Sequence, residues 1–355
     1  MKQCLWRSGV FATFTMLMSF AVQAQGVDPS SGLISRSGII YSNKSGKVYV
    51  VDSEHNGVVV LSSNGTAKTV KTGSGPVSIA VNERTGRVYV ANSGGRSVVI
   101  LDSVTDDVIA TVPTAATPYA IAVDEASEKI YVSNTFSNML TIIDGKTNLA
   151  TNLKTGSADA ILVDAPHRKV YLLSYESDSL TLLDESTNMT SRIAAGAMHV
   201  WGIAKLGKDL YVTHIQDATV TAIDTEKQIV QEIPTGSMPC SLAVDDEHVA
   251  VYVANYGDGS ISAIDARSGV TVWTASVGGH PQAIAVDTVK RLVYIADAQG
   301  QSVSVIDTEQ RRVLNKLKVK GHPYALAIDT KTHRVFAATM GSSPYEEILA
   351  PRSLR

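Results

Sequence analysis

Cysteine is almost missing from this chain of 355 residues, which has only Cys4 and Cys240. Cys4 lies in an N-terminal segment that we expect to be removed, so the mature protein would keep one thiol and no internal disulfide could form. Its stability must therefore come from packing. We expect Cys240 itself to be a buried, inert thiol.

Catalytic motifs and helical patterns are missing too. The sequence has no Gly-x-Ser-x-Gly elbow, no His-Glu-x-x-His, no Cys-x-x-Cys and no glycine-rich phosphate loop, so none of these motifs predicts an enzyme. No stretch keeps an apolar period near 3.6 residues over the length of a helix, so helix should be nearly absent. Aromatic residues make up only 6% of the chain, and its apolar content is mainly Val, Ile, Ala and Leu. That bias favours β-sheets.

A positive net charge is also missing. The formal charge of the whole chain is −3, and it becomes −5 without Lys2 and Arg7. A mildly acidic body has no general attraction for nucleic acid or anionic lipid. Binding of single-stranded DNA remains an alternative that would require lysines and arginines to cluster on one face.

The N-terminus has the three parts of a secretory signal peptide. Lys2 and Arg7 give it a positive start, an apolar run follows over residues 10–22, and Val22-Gln23-Ala24 supplies small residues before a cut. The run is short for a membrane span, and an uncleaved anchor is the alternative. We therefore predict a signal peptide at 1–24, a flexible lead-in at 25–35, and export to the periplasm, the cell surface or the medium.

One unit repeats through the rest of the chain. An aromatic residue recurs every 40 to 42 residues, at Tyr49, Tyr89, Tyr131, Tyr171, Tyr211, Tyr252, Tyr294 and Phe336. In the third copy, apolar β-rich segments cover 119–124, 129–134, 139–144 and 149–153, and short polar turns separate them. Four such segments in each period predict the antiparallel meander of one propeller blade.

The regular period excludes a β-sandwich, which predicts no equal repeats, and a β-helix, whose coils are much shorter. We therefore predict an all-β chain in which residues 36–355 form a single β-propeller of four-stranded antiparallel blades around a central channel. Eight first strands favour eight blades. Seven blades and a tail are the alternative. The last copy lacks an outer strand, and residues 32–35 are the candidate for supplying it.

The motif Val-Tyr-Val-Ala-Asn at 88–92 and 251–255, with Ser-Val-Ser-Val-Ile-Asp-Thr at 302–308, resembles the YVTN-type propeller repeat. That family implies an exported bacterial or archaeal protein, usually with seven blades and mostly without a known activity. Some similar propellers bind DNA, and the haem d1 domain of nitrite reductases is a related eight-bladed propeller. The resemblance implies location and shape and leaves the ligand open.

Two sets of repeated polar residues are predicted to be structural. The aspartates that end the third strands lie in separate copies, and each precedes a turn whose backbone N–H groups can donate hydrogen bonds to its carboxylate. They are Asp102, Asp144, Asp184, Asp224, Asp265 and Asp307. The polar residues that end the second strands receive the same interpretation, as at Asn92, Asn134, Ser174, Asn255 and Asp297.

Positions that change from copy to copy are the better candidates for function. The residue that precedes the innermost strand reads Gly75, Thr117, Ser157, His199, Met238, His280 and His322. Imidazole and thioether groups suit copper or iron, so His199, Met238, His280 and His322 predict a metal or haem site as one alternative. The other alternative is that these residues have no ligand and are merely the positions before a strand.

Two residues further on, the copies read Val77, Tyr119, Asp159, Trp201, Cys240, Gln282 and Tyr324. Mixed aromatic and polar concave surfaces are typical of binding sites. We therefore predict that Tyr119, Asp159, Trp201, Gln282 and Tyr324 bind a small molecule, peptide or protein at one mouth of the channel. The favoured function is that of an exported, non-enzymatic binding or scaffold propeller, and a metal- or haem-dependent redox or hydrolytic enzyme is the alternative.

Overall fold

The protein is an eight-bladed β-propeller. The structure is a computed structural model that describes residues 38–135, 137–196 and 199–348, and these residues form eight antiparallel sheets. The predicted eight blades are confirmed, and the seven-bladed alternative is wrong. The predicted signal peptide and lead-in lie outside the described residues.

Each blade is built from consecutive strands, so every sheet is an up-and-down meander. The strands of blades 1 to 4 are β1 (Ile39–Ser42), β2 (Lys47–Asp52), β3 (Gly57–Leu61), β4 (Ala67–Lys71), β5 (Pro76–Asn82), β6 (Arg87–Asn92), β7 (Ser97–Asp102), β8 (Val108–Pro113), β9 (Thr117–Asp124), β10 (Lys129–Thr135), β11 (Met139–Asp144), β12 (Leu149–Lys154), β13 (Ala160–Asp164), β14 (Lys169–Leu173), β15 (Ser179–Asp184) and β16 (Thr190–Ala194).

Blades 5 to 8 repeat the pattern, although the described part of blade 8 has only three strands. Their strands are β17 (Val200–Leu206), β18 (Asp209–His214), β19 (Thr219–Asp224), β20 (Val230–Pro234), β21 (Pro239–Asp245), β22 (Ala250–Asn255), β23 (Ser260–Asp265), β24 (Val270–Ser276), β25 (Pro281–Asp287), β26 (Leu292–Asp297), β27 (Ser302–Asp307), β28 (Arg312–Lys318), β29 (His322–Ile328), β30 (Val335–Met340) and β31 (Tyr345–Ile348). The outer strand that residues 32–35 might supply lies outside the described residues.

The first strand of each blade faces the centre of the ring. These strands contact one another in order from β1 through β5, β9, β13, β17, β21 and β25 to β29, and β29 returns to β1. The fourth strands are the most exposed, as the mainly exposed β4 and β12 show. Apart from a short 3-10 helix at Ala165–His167, the described residues contain no helix, as the sequence predicted.

The repeated tyrosines pack between neighbouring blades. Tyr49 and Tyr131 are almost completely buried, and each reaches the turn after the third strand of the next blade. The hydroxyl of Tyr49 donates to the carbonyl of Ser103 at 2.9 Å, and the hydroxyl of Tyr131 donates to Oε1 of Glu185 at 2.8 Å. The anchor residue therefore joins two blades, which explains why it recurs in every period.

The ring closes where blade 8 meets blade 1. One apolar cluster joins Tyr41 and Val50 of blade 1 to Ala325 and Phe336 of blade 8. Polar contacts add to it, because the Thr330 hydroxyl donates to Oδ1 of Asn43 at 2.6 Å. Among the described residues, side-chain packing between the first and last blades closes the ring.

The repeated aspartates have the structural role predicted for them. Oδ1 of Asp102 accepts the backbone N–H groups of Val104 at 2.8 Å and Thr105 at 3.0 Å. These two bonds are the main reason why the pKa of Asp102 lies below its usual value. Asp144, Asp184, Asp224 and Asp265 accept the same pair of turn N–H groups.

Within the described residues, no helix is both long and apolar enough to cross a membrane.

Truncating one anchor tyrosine tests the interface between blades. We expect Tyr131→Ala to lower the free energy of unfolding by about 3–5 kcal/mol, because the change leaves a cavity the size of an aromatic ring. Tyr131→Phe is the matched control, since blade 8 has Phe336 at this position, and it should cost only about 1 kcal/mol for the hydrogen bond to Glu185. Denaturant unfolding measures both; equal losses would contradict the packing role.

Candidate functional site

One end of the ring carries the candidate ligand-binding and metal-ligating residues that the sequence singled out. The inner strands begin at this end, and the loops that follow the second strands lie beside them because the first two strands of a blade are antiparallel. Pro76 pairs with Asn92 in this way, and Pro281 pairs with Asp297. We call this end, formed by the residues that precede the inner strands and by the loops after the second strands, the upper mouth.

The inner strands share an irregularity at the upper mouth. In six blades the register between the first two strands shifts just after the first or second paired residue of the inner strand. A β-bulge of this kind redirects a side chain and is frequent at barrel rims and beside functional sites. The residues within the shifts include Val77, Tyr119, Trp201, Cys240, Gln282 and Tyr324. Four of the five predicted ligand-binding residues therefore occupy bulges.

Two blades carry large side chains at a position that favours glycine. Gly75 precedes its inner strand with a φ of 61°, and His199 and Met238 hold φ values of 62° and 54° at the equivalent point. A residue with a Cβ pays a steric cost in this left-handed region. His199 and Met238 therefore keep their side chains at the mouth despite a backbone cost that glycine avoids in blade 2.

A polar and aromatic cluster joins blades 4 and 5. The backbone N–H of Tyr175 donates to Oδ2 of Asp159 at 2.7 Å. The ring of Tyr175 lies 4.9 Å from the His199 ring and 5.7 Å from the Trp201 ring, centroid to centroid. Asp159, His199 and Trp201 are therefore brought to one place through a residue that the sequence did not single out.

Asp159 is not stabilised as an anion. Burial is the main cause that raises its pKa above the usual value, and the nearby Glu176 carboxylate adds to the shift, while the Tyr175 N–H opposes it. The side chain is nevertheless partly exposed. Asp159 is a carboxylate at the mouth whose charge costs free energy in the folded protein.

The cluster continues into blade 6. Tyr175, Trp201 and Met238 pack against a buried group that includes Cys240 and Tyr256. Cys240 is 3% exposed, which confirms the predicted buried thiol. Its Sγ lies 3.2 Å from the carbonyl oxygen of Pro281 in the next blade, so the thiol contributes to the interface between blades 6 and 7.

Blades 7 and 8 each add a histidine at the same position. The ring of His280 stacks on Tyr256 with centroids 4.7 Å apart, and its Nδ1 lies 3.1 Å from the Tyr256 carbonyl oxygen. Nδ1 of His322 lies 2.8 Å from the carbonyl oxygen of Ala298. A carbonyl only accepts, so both imidazoles carry a proton on Nδ1, and in the neutral form Nε2 is the nitrogen with the lone pair. Nε2 of His322 lies 3.5 Å from the side-chain nitrogen of Gln301.

The remaining predicted residues lie elsewhere on the mouth. Gln282 is partly exposed. Tyr324 packs against the start of blade 1, so closely that a Cβ atom added to Gly38 would lie 2.5 Å from the tyrosine ring. Burial raises the pKa of the Tyr324 hydroxyl. Tyr119 is only 9% exposed, so the structure gives it mainly a packing role.

The upper mouth is chemically asymmetric. Aromatic and imidazole side chains, with one methionine among them, lie next to one another across blades 4 to 7. We call this set the aromatic arc. It consists of Tyr175, His199, Trp201, Met238, Tyr256 and His280. Blade 2 instead offers the small residues Gly75, Ser93, Gly94 and Gly95. Identical blades would give eight equivalent mouth segments, so the arc is a departure that folding alone does not require.

The proposed metal ligands do not gather into a cluster. The described ranges contain no group of three or more His, Cys, Asp or Glu side chains placed to hold a metal ion. His199 differs from the other two histidines, because its Nδ1 is buried and has no hydrogen-bond partner within the described residues.

Sequence reasoning missed Tyr175 and Tyr256. Both lie four positions after an anchor tyrosine, at Tyr171 and Tyr252, in the loop after the second strand. The other blades have Ser53, Ser93, Thr135, Ile215, Ala298 and Met340 at this position. Comparing that position across the copies would have shown the two aromatic exceptions.

Solved structures with this fold include proteins of very different kinds. Hydrazine synthase from Kuenenia stuttgartiensis has 16% identity and a TM-score of 0.62, with 78% of this chain and 96% of that chain covered. The dihydro-haem d1 dehydrogenase NirN, in complex with DHE, has 15% identity and a TM-score of 0.73, with 87% and 73% covered. The computationally designed Ika8 protein has 13% identity and a TM-score of 0.71, with 88% and 97% covered.

No protein-family model and no curated protein matches this sequence. At identities of 13 to 16%, the similarities establish the fold alone.

Asp159 gives a prediction about stability. Its pKa is raised by folding, so the unfolded chain binds this proton less tightly and the ionised side chain costs stability above that pKa. We expect Asp159→Asn to raise the melting temperature at about pH 7.5, and the gain to shrink towards about pH 4 as the wild-type carboxyl becomes protonated. A lower melting temperature for the variant at the higher pH would contradict this account of Asp159.

Proposed function

We propose that this chain is a binding protein that holds a small molecule or a short peptide segment at the upper mouth. The observation that carries the proposal is the aromatic arc. An anchor aromatic recurs in all eight blades and a turn aspartate in six, yet among the described residues only blades 4 to 7 place aromatic and imidazole rings in mutual contact at the mouth.

The exposure of the arc supports the same function. Tyr175, His199, Trp201, Met238 and His280 are all partly exposed, although they contact one another. Partly exposed aromatic rings with a few fixed polar groups form the usual lining of ligand sites. Tyr256 supports the arc from below, because it is 4% exposed and its hydroxyl accepts a bond from Gln299 at 3.1 Å.

Paired tryptophan variants test this function. The full chain is screened by thermal shift against a library of small metabolites and short peptides, and each hit is titrated by calorimetry. We expect Trp201→Ala to weaken binding of the hits about tenfold or more, since a buried aromatic anchor contributes over 1 kcal/mol. Trp273→Ala is the control, because Trp273 lies on the outer strand β24. If the Trp201→Ala and Trp273→Ala variants bind the hits equally well, the binding site is not at the upper mouth.

A haem-type molecule is a second candidate ligand. His280 donates Nδ1–H to a backbone carbonyl, and imidazoles that ligate metals are commonly fixed in this way. The structural similarity to NirN, solved in complex with DHE, makes a tetrapyrrole worth testing. The imidazole of His280, within the aromatic arc, would hold the haem iron, and a bound haem would supply redox chemistry.

Adding hemin to the full chain tests the second candidate. Coordination by His280 predicts a Soret shift that His280→Gln removes and that His248→Gln leaves intact, because His248 lies at the opposite end of the ring and bonds to Asp245. An unshifted spectrum, or the same shift in both variants, would remove haem ligation by His280 as a function.

We also propose that the chain works outside the cytoplasm. The three-part N-terminal pattern at 1–24 supports export, and so does the resemblance of the repeats to YVTN-type propellers, a relationship that we infer from the motifs at 88–92 and 251–255. Recovery of the protein from its host with residues 1–24 still attached would contradict cleavage.

A further inference from the structure

We propose that the ligand of the upper mouth is an organic cation, an alkylammonium group held between the Asp159 carboxylate and the aromatic faces of Tyr175 and Trp201. This inference rests on the proposed function and names the class of ligand that the same site binds. Three independent features of blades 4 to 6 carry it.

The first feature is a carboxylate without a cation. Asp159 receives one hydrogen bond, from the Tyr175 N–H at 2.7 Å, and within the described residues it has no ion pair with a lysine, arginine or histidine. Two more deeply buried aspartates, Asp164 and Asp106, are paired with cations. Asp164 has His167 at 2.9 Å and Lys205 at 3.3 Å, and Asp106 has two lysines, at 2.8 Å and 2.9 Å.

Shielded charges in proteins are normally paired, because an unpaired charge loses its solvation without compensation. Asp164 and Asp106 follow this rule, and the buried Asp124 and Asp329, which have no ion pair within the described residues, each accept several hydrogen bonds instead. Asp159 has neither form of compensation. The carboxylate of Asp159 therefore lacks the positive group that a cationic ligand would bring.

The second feature is the arrangement of the rings beside this carboxylate. The planes of Tyr175 and Trp201 are nearly perpendicular, at 87°, with centroids 5.7 Å apart. The His199 ring lies 4.9 Å from Tyr175 at 47°. Aromatic rings at steep mutual angles form the walls of sites that bind quaternary and alkylated ammonium groups, because the π faces attract positive charge.

The third feature is the sign of the charge around the site. The described residues of the upper loops of blades 4 to 6 are 155–159, 174–178, 195–196, 199, 215–218, 235–238 and 256–259. They contain no lysine or arginine and five carboxylates, at Asp159, Glu176, Asp178, Asp217 and Asp258. A mouth segment of one sign concentrates ligands of the opposite sign. Phosphates, carboxylates and nucleic acids are disfavoured here, and organic cations are favoured.

A matched pair of probes separates charge from shape. Choline and its neutral carbon analogue, 3,3-dimethylbutan-1-ol, have nearly the same volume, and only choline is charged. In the full chain, Trp6→Phe and Trp273→Phe leave Trp201 as the sole tryptophan, so its fluorescence reports binding at the mouth itself. Calorimetry on the unmodified protein checks the affinities.

We expect choline to bind about tenfold or more tightly than the neutral analogue, as a carboxylate and two ring faces in a shielded site predict. Asp159→Asn keeps an oxygen for the Tyr175 N–H and removes the charge, so it should erase most of that difference. Asp178→Asn is the matched control in the loop that carries Tyr175, where the Asp178 side chain is exposed, and it should change the affinity less than about twofold.

Each result decides a different question. If both probes bind equally and Trp201→Ala weakens both, the proposal of a cationic ligand is wrong, but the upper mouth remains a binding site. The same conclusion follows if the Asp159→Asn variant binds choline as tightly as the unmodified protein. If neither probe changes the fluorescence of Trp201, the proposal of a cationic ligand is also wrong. If the library screen then yields no hit that is sensitive to Trp201→Ala, the proposed function falls with it.

Discussion

The structure depends on the burial of both faces of each blade by its neighbours. A four-stranded sheet of this size cannot form a core alone, and the anchor aromatic of each blade fills the space against the next one. Tyr49 and Tyr131 extend this contact to hydrogen bonds with the following blade. The same requirement acts at the closure, where Phe336 and Ala325 of the last blade share a core with Tyr41 of the first.

Because packing fixes the same positions in every blade, those positions carry no information about the ligand. The anchor aromatics and turn aspartates stabilise the blades, and the bulge near the start of six inner strands creates a position with fewer restraints. Val77 occupies it in blade 2, while Trp201 and Gln282 occupy it in blades 5 and 7. Variation at these positions, together with the ring contacts of Tyr175 and Tyr256, makes the mouth asymmetric.

The fold was predictable because it follows from local periodicity. The predicted third blade matches the observed strands to within two residues at every boundary, and the position of Cys240 in a core followed from its place in an inner strand. The site was predictable only in part. Contacts between blades join residues far apart in the sequence, such as Tyr175 and Trp201, and a spacing pattern does not show which of them meet. The hydrogen bond from the Tyr175 N–H to Asp159 and the contact of its ring with Trp201 became visible only in the structure.

The central claim is that the departure from the repeat in blades 4 to 7 is a binding site. A crystal structure of the full chain soaked with choline tests this most directly. The account predicts choline against Tyr175 and Trp201, with its ammonium group within about 6 Å of the ring centroids and beside the Asp159 carboxylate. Choline bound at blades 1 to 3 or on the outer surface, with the aromatic arc empty, would contradict it.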